Sequence, residues 1–214
     1  MSTLKEVLAQ KIEEHRPRTA RLLKEFADVK VGEVNIGQAI GGARGVRCLV
    51  TDTSYLDPNE GIRFRGKTIP ETFEALPKWP GSGYPTVESF WWFIMTGEIP
   101  TEEQANSVLE DWKGRAEVPE YVFDMLRTLP RDSHPMVMYS AAILCMQRES
   151  LFAEEYKQGM SKMDYWRPMY EDCSNLMAKL GRIGAFIYRL KFKNDEQIAP
   201  KDGLDFGGNF ARMM

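Results

Sequence analysis

Arginines set among glycines are the residues of this chain whose type and spacing best suit an anion. Arg44 stands in Gly41-Gly42-Ala43-Arg44-Gly45. Glycines let a backbone come close to a ligand, and a guanidinium grips phosphate with two parallel hydrogen bonds. The strand–GxGxxG–helix setting of a dinucleotide site is missing, so spacing alone favours a tight turn with a surface arginine. Arg63-Phe64-Arg65-Gly66 puts two arginines on one face of a strand. Such a pair can hold an anion, but Glu60 and Glu71 are close in sequence, and a salt-bridged face is the simpler reading.

Proton transfer and nucleophilic chemistry have little to draw on. The chain has 2 histidines, His15 and His134. His134 precedes Pro135 at an expected helix start, with Asp132 nearby, but no serine or cysteine is identifiable as its nucleophile. A capping or packing role fits it better. His15 lies in a charged helix and is expected to face solvent. The 3 cysteines, Cys48, Cys145 and Cys173, are far apart and form no CxxC pair. They read as reduced, buried thiols, and no metal site is expected. Phe90-Trp91-Trp92-Phe93 offers more apolar surface than one helix face can bury, yet lacks the flanking basic residues of a base-stacking platform.

Whatever these residues do, helices must position them. The 214 residues can enclose a core without staples, and one domain or one large lobe is expected. Apolar residues make up 43 % and charged residues 28 %, with a net charge of −3 and no block of like charge. That balance fits a globular protein and argues against a nucleic-acid surface. No apolar run reaches membrane-spanning length.

Leu4, Val7, Leu8 and Ile12 follow helical spacing; Pro17 is expected to interrupt this helix and a second to run to about Phe26. Glycines and β-branched residues then predict short strands near Val31–Ile36, Val46–Thr53 and Ile62–Arg65, with a turn at Asp57-Pro58-Asn59-Glu60-Gly61. The remainder reads as helix. Thr68 caps a helix at Pro70, Gly97 stops one that Thr86 opens, and Thr101-Glu102-Glu103-Gln104 is a capping box. Further helices start at Pro119 and Pro135. The longest runs from about Asp164 to Phe192, where Met169, Cys173, Leu176, Leu180, Ile183, Ile187 and Leu190 form a heptad-like seam. The seam reads as the central helix of a bundle, as a subunit contact, or as both. A last amphipathic helix carries Phe206, Phe210, Met213 and Met214 on one face without a stop signal, which leads us to expect a truncated chain. Acidic residues near the start, Glu6, Glu13 and Glu14, are unlike a transit peptide.

Several blocks together resemble the mitochondrial-type citrate synthase family. Thr53-Ser54-Tyr55-Leu56-Asp57-Pro58-Asn59-Glu60-Gly61-Ile62-Arg63-Phe64-Arg65-Gly66 is similar to its signature, with Gly41 to Gly45 at the family spacing before it. Thr96-Gly97-Glu98-Ile99-Pro100-Thr101-Glu102-Glu103-Gln104, His134-Pro135-Met136, Tyr156 to Gly159, Tyr165-Trp166 and Tyr170-Glu171-Asp172 continue the likeness in colinear order.

The resemblance implies a mainly α fold: residues 1–214 would be the N-terminal portion of a multi-helical large domain, with a few short strands near residues 31–65. It implies a homodimer through helices near 135–150 and 164–192. It implies a mitochondrial matrix enzyme of the tricarboxylic acid cycle that condenses acetyl-CoA with oxaloacetate and water to citrate and CoA. CoA is then substrate and product, with no permanently bound cofactor, no nucleic acid and no membrane. The family's catalytic carboxylate and two histidines would follow this segment, leaving it no catalytic residue and no activity alone; His134 is not one of them. Arg44 aligns with an arginine on CoA phosphates. Lys162, in Ser161-Lys162-Met163-Asp164-Tyr165-Trp166, aligns with a basic residue reaching the partner subunit's coenzyme. That position is usually arginine, and lysine keeps the charge but loses the two-pronged grip. The other reading is a non-catalytic helical lobe that dimerises and binds CoA weakly.

Overall fold

The computed structural model describes residues 2–214 except Arg44, Arg47, Cys48 and Pro58. It is mainly helical, and the chain divides into two compact units: residues 1–76 with 91–99, and residues 77–90 with 100–214.

The first unit opens with α1, Leu4–Glu25. Thr3 caps it: its hydroxyl accepts from the Glu6 amide at 3.3 Å, and the Glu6 carboxylate accepts from the Thr3 amide at 2.8 Å. The break expected at Pro17 does not occur; the proline sits inside the helix. Its missing N–H frees the Glu13 carbonyl, but this stretch of the helix is mostly exposed, so that oxygen is not shut away from solvent. Flanking ion pairs, Arg16–Glu13 at 2.9 Å and Arg21–Glu25 at 2.9 Å, hold the neighbouring turns.

The strand expected at Val31–Ile36 is absent. Asn35 instead starts a short helix, α2, Ile36–Ile40, exchanging hydrogen bonds with Gln38 at 2.8 and 3.1 Å. A reciprocal cap satisfies orphan amides locally, whereas a lone strand there would have no partner. No described residue of Val46–Thr53 is in a strand either; Arg47 and Cys48 lie outside the described residues. The sheet begins one residue later. Strands β1 (Ser54–Asp57), β2 (Gly61–Phe64) and β3 (Lys67–Thr68) pair antiparallel in chain order, with Tyr55 opposite Arg63 and Arg63 opposite Thr68. The expected turn is present: the Asp57 carboxylate accepts from the amides of Asn59 and Glu60 at 2.8 and 2.9 Å. Those bonds hold its pKa below the usual carboxylate range. Thr68 then caps α3, Ile69–Ala75, with Glu71 completing the box.

Helix α4, Val87–Thr96, has its first turn in the second unit and the rest in the first. Gly97 ends it at φ +79°, as the C′ position demands. The second unit continues with α5 (Glu102–Arg115), α6 (Glu120–Thr128), α7 (Pro135–Cys145), a 3-10 turn at Met146–Glu149, α8 (Leu151–Lys157), α9 (Trp166–Phe192) and α10 (Phe206–Met213). Pro119 stands just before α6 rather than as its first residue. Among the described residues, no helix is long and apolar enough to cross a membrane.

The second unit is organised around α9. Val122 and Leu126 of α6 and Met138 and Ala142 of α7 pack with Ile183, Phe186, Ile187 and Leu190 of α9 into a buried cluster. Another face of α9 is built from small residues. A Cβ on Gly181 would lie 3.3 Å from the Phe206 ring, and one on Gly184 would lie 3.4 Å from the Phe210 ring, so α10 packs almost on bare backbone. The heptad-like seam splits: Ile183, Ile187 and Leu190 are core, whereas Met169 and Cys173 are exposed. A straight helix drifts by about 20° per heptad, so a seven-residue spacing held for three heptads turns through roughly 60°.

Leu126 is fully enclosed, and Leu126→Ala is expected to lower stability by about 2–5 kcal/mol in urea unfolding. Glu155→Ala, on the exposed side of α8, should stay within about 0.5 kcal/mol.

Candidate functional site

Lys162 is exposed in the turn between α8 and α9. The turn is held from inside: the Asp164 amide donates to the Ser161 carbonyl at 2.9 Å, and the Met163 amide to the Ser161 hydroxyl at 3.2 Å. Three rings brace its two sides. Phe152 lies 5.2 Å from Tyr165 and 5.8 Å from Tyr156, and the two tyrosines are 5.9 Å apart. Asp172 of α9 ties down the start of α8 by accepting from the Ser150 hydroxyl at 2.7 Å and the Leu151 and Phe152 amides at 2.8 and 3.1 Å. Among the described residues Lys162 forms no ion pair, while Asp164 is taken by Arg167 at 3.6 Å. A free ammonium on a braced turn is available to an incoming anion.

Arg44 lies outside the described residues. Its neighbours make a compact left-handed turn: φ is +75° at Gly42, +61° at Ala43 and +73° at Gly45. The Ala43 amide donates to the Gln38 carbonyl at 2.7 Å, closing α2. Arg44 and Lys162 belong to different units.

The second arginine cluster is structural. Arg63 pairs with Glu60 at 2.8 Å and donates to the Gly66 carbonyl at 3.2 Å. Arg65 turns back at φ +48° and donates to the Ile94 carbonyl from two nitrogens at 2.9 and 2.7 Å and to the Met95 carbonyl at 3.2 Å. These are orphan carbonyls at the negative end of α4, and a guanidinium suits both their geometry and their charge. Asp52 completes the arrangement at 3.2 Å.

Among the described residues, neither histidine side chain hydrogen-bonds to a serine, threonine or cysteine side chain. The His134 Nδ1 accepts from the Met136 amide at 3.2 Å and caps α7, as expected. His15 is half exposed and lies 3.7 Å from Asp52. The expectation of buried thiols fails for Cys173, which is exposed, and holds only partly for Cys145; Cys48 lies outside the described residues. Cys173 lies where the seam drifts out of the core. Among the described residues no acid–histidine–cysteine cluster of metal-binding kind occurs.

One group escaped the sequence reading. Glu88, in the first turn of α4, is 1 % exposed. Burial, with Asp205 adding a like charge, pushes its carboxyl above the usual range. Its one legible signal is an acid abutting the apolar run Phe90 to Met95.

The model of the family described as "Citrate synthase, C-terminal domain" matches residues 42–214. The chain belongs to the citrate synthase family. The mitochondrial citrate synthase of Aspergillus niger is 43 % identical over 213 residues, 99 % of this chain and 45 % of that protein. The mitochondrial citrate synthase of Saccharomyces cerevisiae is 42 % identical over 212 residues, 99 % of this chain and 44 % of that protein. The chain thus spans about half the length of these relatives. The crystal structure of the Pyrobaculum aerophilum citrate synthase superposes with a TM-score of 0.67 at 24 % identity, over 86 % of this chain and 45 % of that one, and is a likeness of fold.

Within this citrate synthase segment, Arg65→Ala leaves the α4 carbonyls unpaired and should cost about 1–3 kcal/mol in urea unfolding. Arg65→Lys should recover little of it, since one ammonium cannot reproduce the fork.

Proposed function

We propose that this chain is part of a citrate synthase whose whole protein condenses acetyl-CoA and oxaloacetate with water to citrate and CoA. The observation that carries this reading is identity above 40 % running along the full chain, together with the family match over residues 42–214. The relatives' names support a mitochondrial location, within which the matrix is our proposal.

This segment's share is coenzyme binding rather than bond making. Arg44 and Lys162 are proposed to hold CoA phosphates. The braced turn supports Lys162 in that role, because a backbone already held leaves only the side chain to be ordered on binding. The groups that take a proton from the acetyl methyl and polarise the oxaloacetate carbonyl are proposed to lie outside residues 1–214, and the segment itself to be part of one large domain. CoA is turned over and not retained.

A second reading, a dimerising lobe that binds CoA weakly without turnover, is favoured by α7. That helix, Pro135–Cys145, carries no charged side chain, and Met136, Val137 and Leu144 are 59 %, 62 % and 74 % exposed. A helix apolar on every side is normally covered. We infer a homodimer through helices near 135–150 and 164–192.

Thiol release from acetyl-CoA with oxaloacetate should not exceed the blank for this chain alone; measurable turnover would place the chemistry within it. Calorimetry should show CoA affinity falling about twofold to fivefold in Lys162→Ala, the size of an exposed charge contact. Val137→Glu with Leu144→Glu should halve the sedimentation mass, and an unchanged dimer would remove α7 from the interface.

A further inference from the structure

Glu88 is an unusual residue to enclose. Its side chain is 1 % exposed, and one oxygen accepts from the Phe206 amide at 2.9 Å. Its other oxygen, Oε2, has no hydrogen-bond partner among the described residues. An ionised carboxylate with a bare buried oxygen is costly, and the neutral acid much less so.

Phe206 is the first residue of α10, so Glu88 joins the start of α4 to the start of α10. Asp205 caps the same helix, accepting from the Gly208 amide at 2.7 Å. Two carboxylates therefore converge on one helix start. The α10 helix covers the backbone of α9 at Gly181 and Gly184, and its Phe206 ring meets Trp112 of α5 edge-on at 5.4 Å. Releasing α10 would bare this apolar surface.

We propose that Glu88 is a protonation-sensitive latch: neutral, it holds α10 shut over α5 and α9; ionised, it loosens α10. The charged groups acting on it are Asp205, from the α10 cap, and Lys113, from α5. Asp205 opposes ionisation and Lys113 favours it, but the Lys113 ammonium is already paired with Glu110 at 2.6 Å. Burial is the largest influence and raises the pKa in the closed form. With α10 open, Glu88 is solvated and titrates as an ordinary carboxyl. The closed form therefore binds the proton more tightly. Its advantage is complete below the ordinary carboxylate pKa and is lost as pH rises through the raised one.

Hydrogen exchange across residues 206–213 of the 214-residue chain, corrected for intrinsic rates, tests the latch. The opening equilibrium should rise with pH by up to about tenfold per unit between the two pKa values, then level off. Glu88→Gln should be flat and stay at the protected end. Asp205→Asn, which still caps, should move the midpoint down. A flat wild-type profile, or the same rise in Glu88→Gln, would overturn the proposal. Carbon-13 titration of the wild-type carboxyl needs no substitution: a Glu88 midpoint at the ordinary value, or one that differs from the pH at which α10 exchange levels off, would overturn it as well.

Discussion

The second unit depends on covering one long helix on most of its sides. α9 runs for 27 residues, and its buried positions do not form a single stripe. Ile183, Ile187 and Leu190 face α6 and α7, while Ala178 and Gly181 face α5 and α10. Each covering helix uses the side-chain size that α9 leaves available. Large residues pack with those of α6 and α7 in one buried cluster. Glycines on the other side let aromatic rings of α10 come within van der Waals distance of the backbone.

Polar groups in this fold mostly finish helices. Thr3, Asn35, Thr68 and Thr101 each form a reciprocal cap with a residue three positions on. His134, Ser150 and Asp205 cap singly. Arg65 serves an opposite end, that of α4. Arg189, itself buried, donates to the carbonyls of Glu196 and Met214. Residues that look reactive in isolation are therefore mostly engaged with backbone. Lys162 differs, because its turn is closed by Ser161 and Asp164 and leaves its ammonium outside.

The helices after Thr68 were legible because caps and 3.6-residue periodicity are local signals. Thr101 with Gln104, Gly97 and Pro135 mark their boundaries within a residue, and Val108, Leu109 and Trp112 are buried as their spacing requires. Val31–Ile36 and the described residues of Val46–Thr53 were misread, because β-branched content shows compatibility with a strand but not the presence of a partner. The break expected at Pro17 failed because this part of the helix is exposed, so a carbonyl without its amide is not buried unpaired.

Sequence by itself determined the helical character, the hairpin at Asp57–Gly61, the family likeness and the two candidate cations, since each rests on residues close along the chain. Only the tertiary structure decided that Arg65 closes α4, that the α9 seam turns from core to surface, and that Glu88 is buried against α10. Those outcomes join residues 29, 21 and 118 positions apart. Burial and orphaned backbone groups exist only once the chain has folded, and they set the roles of these side chains.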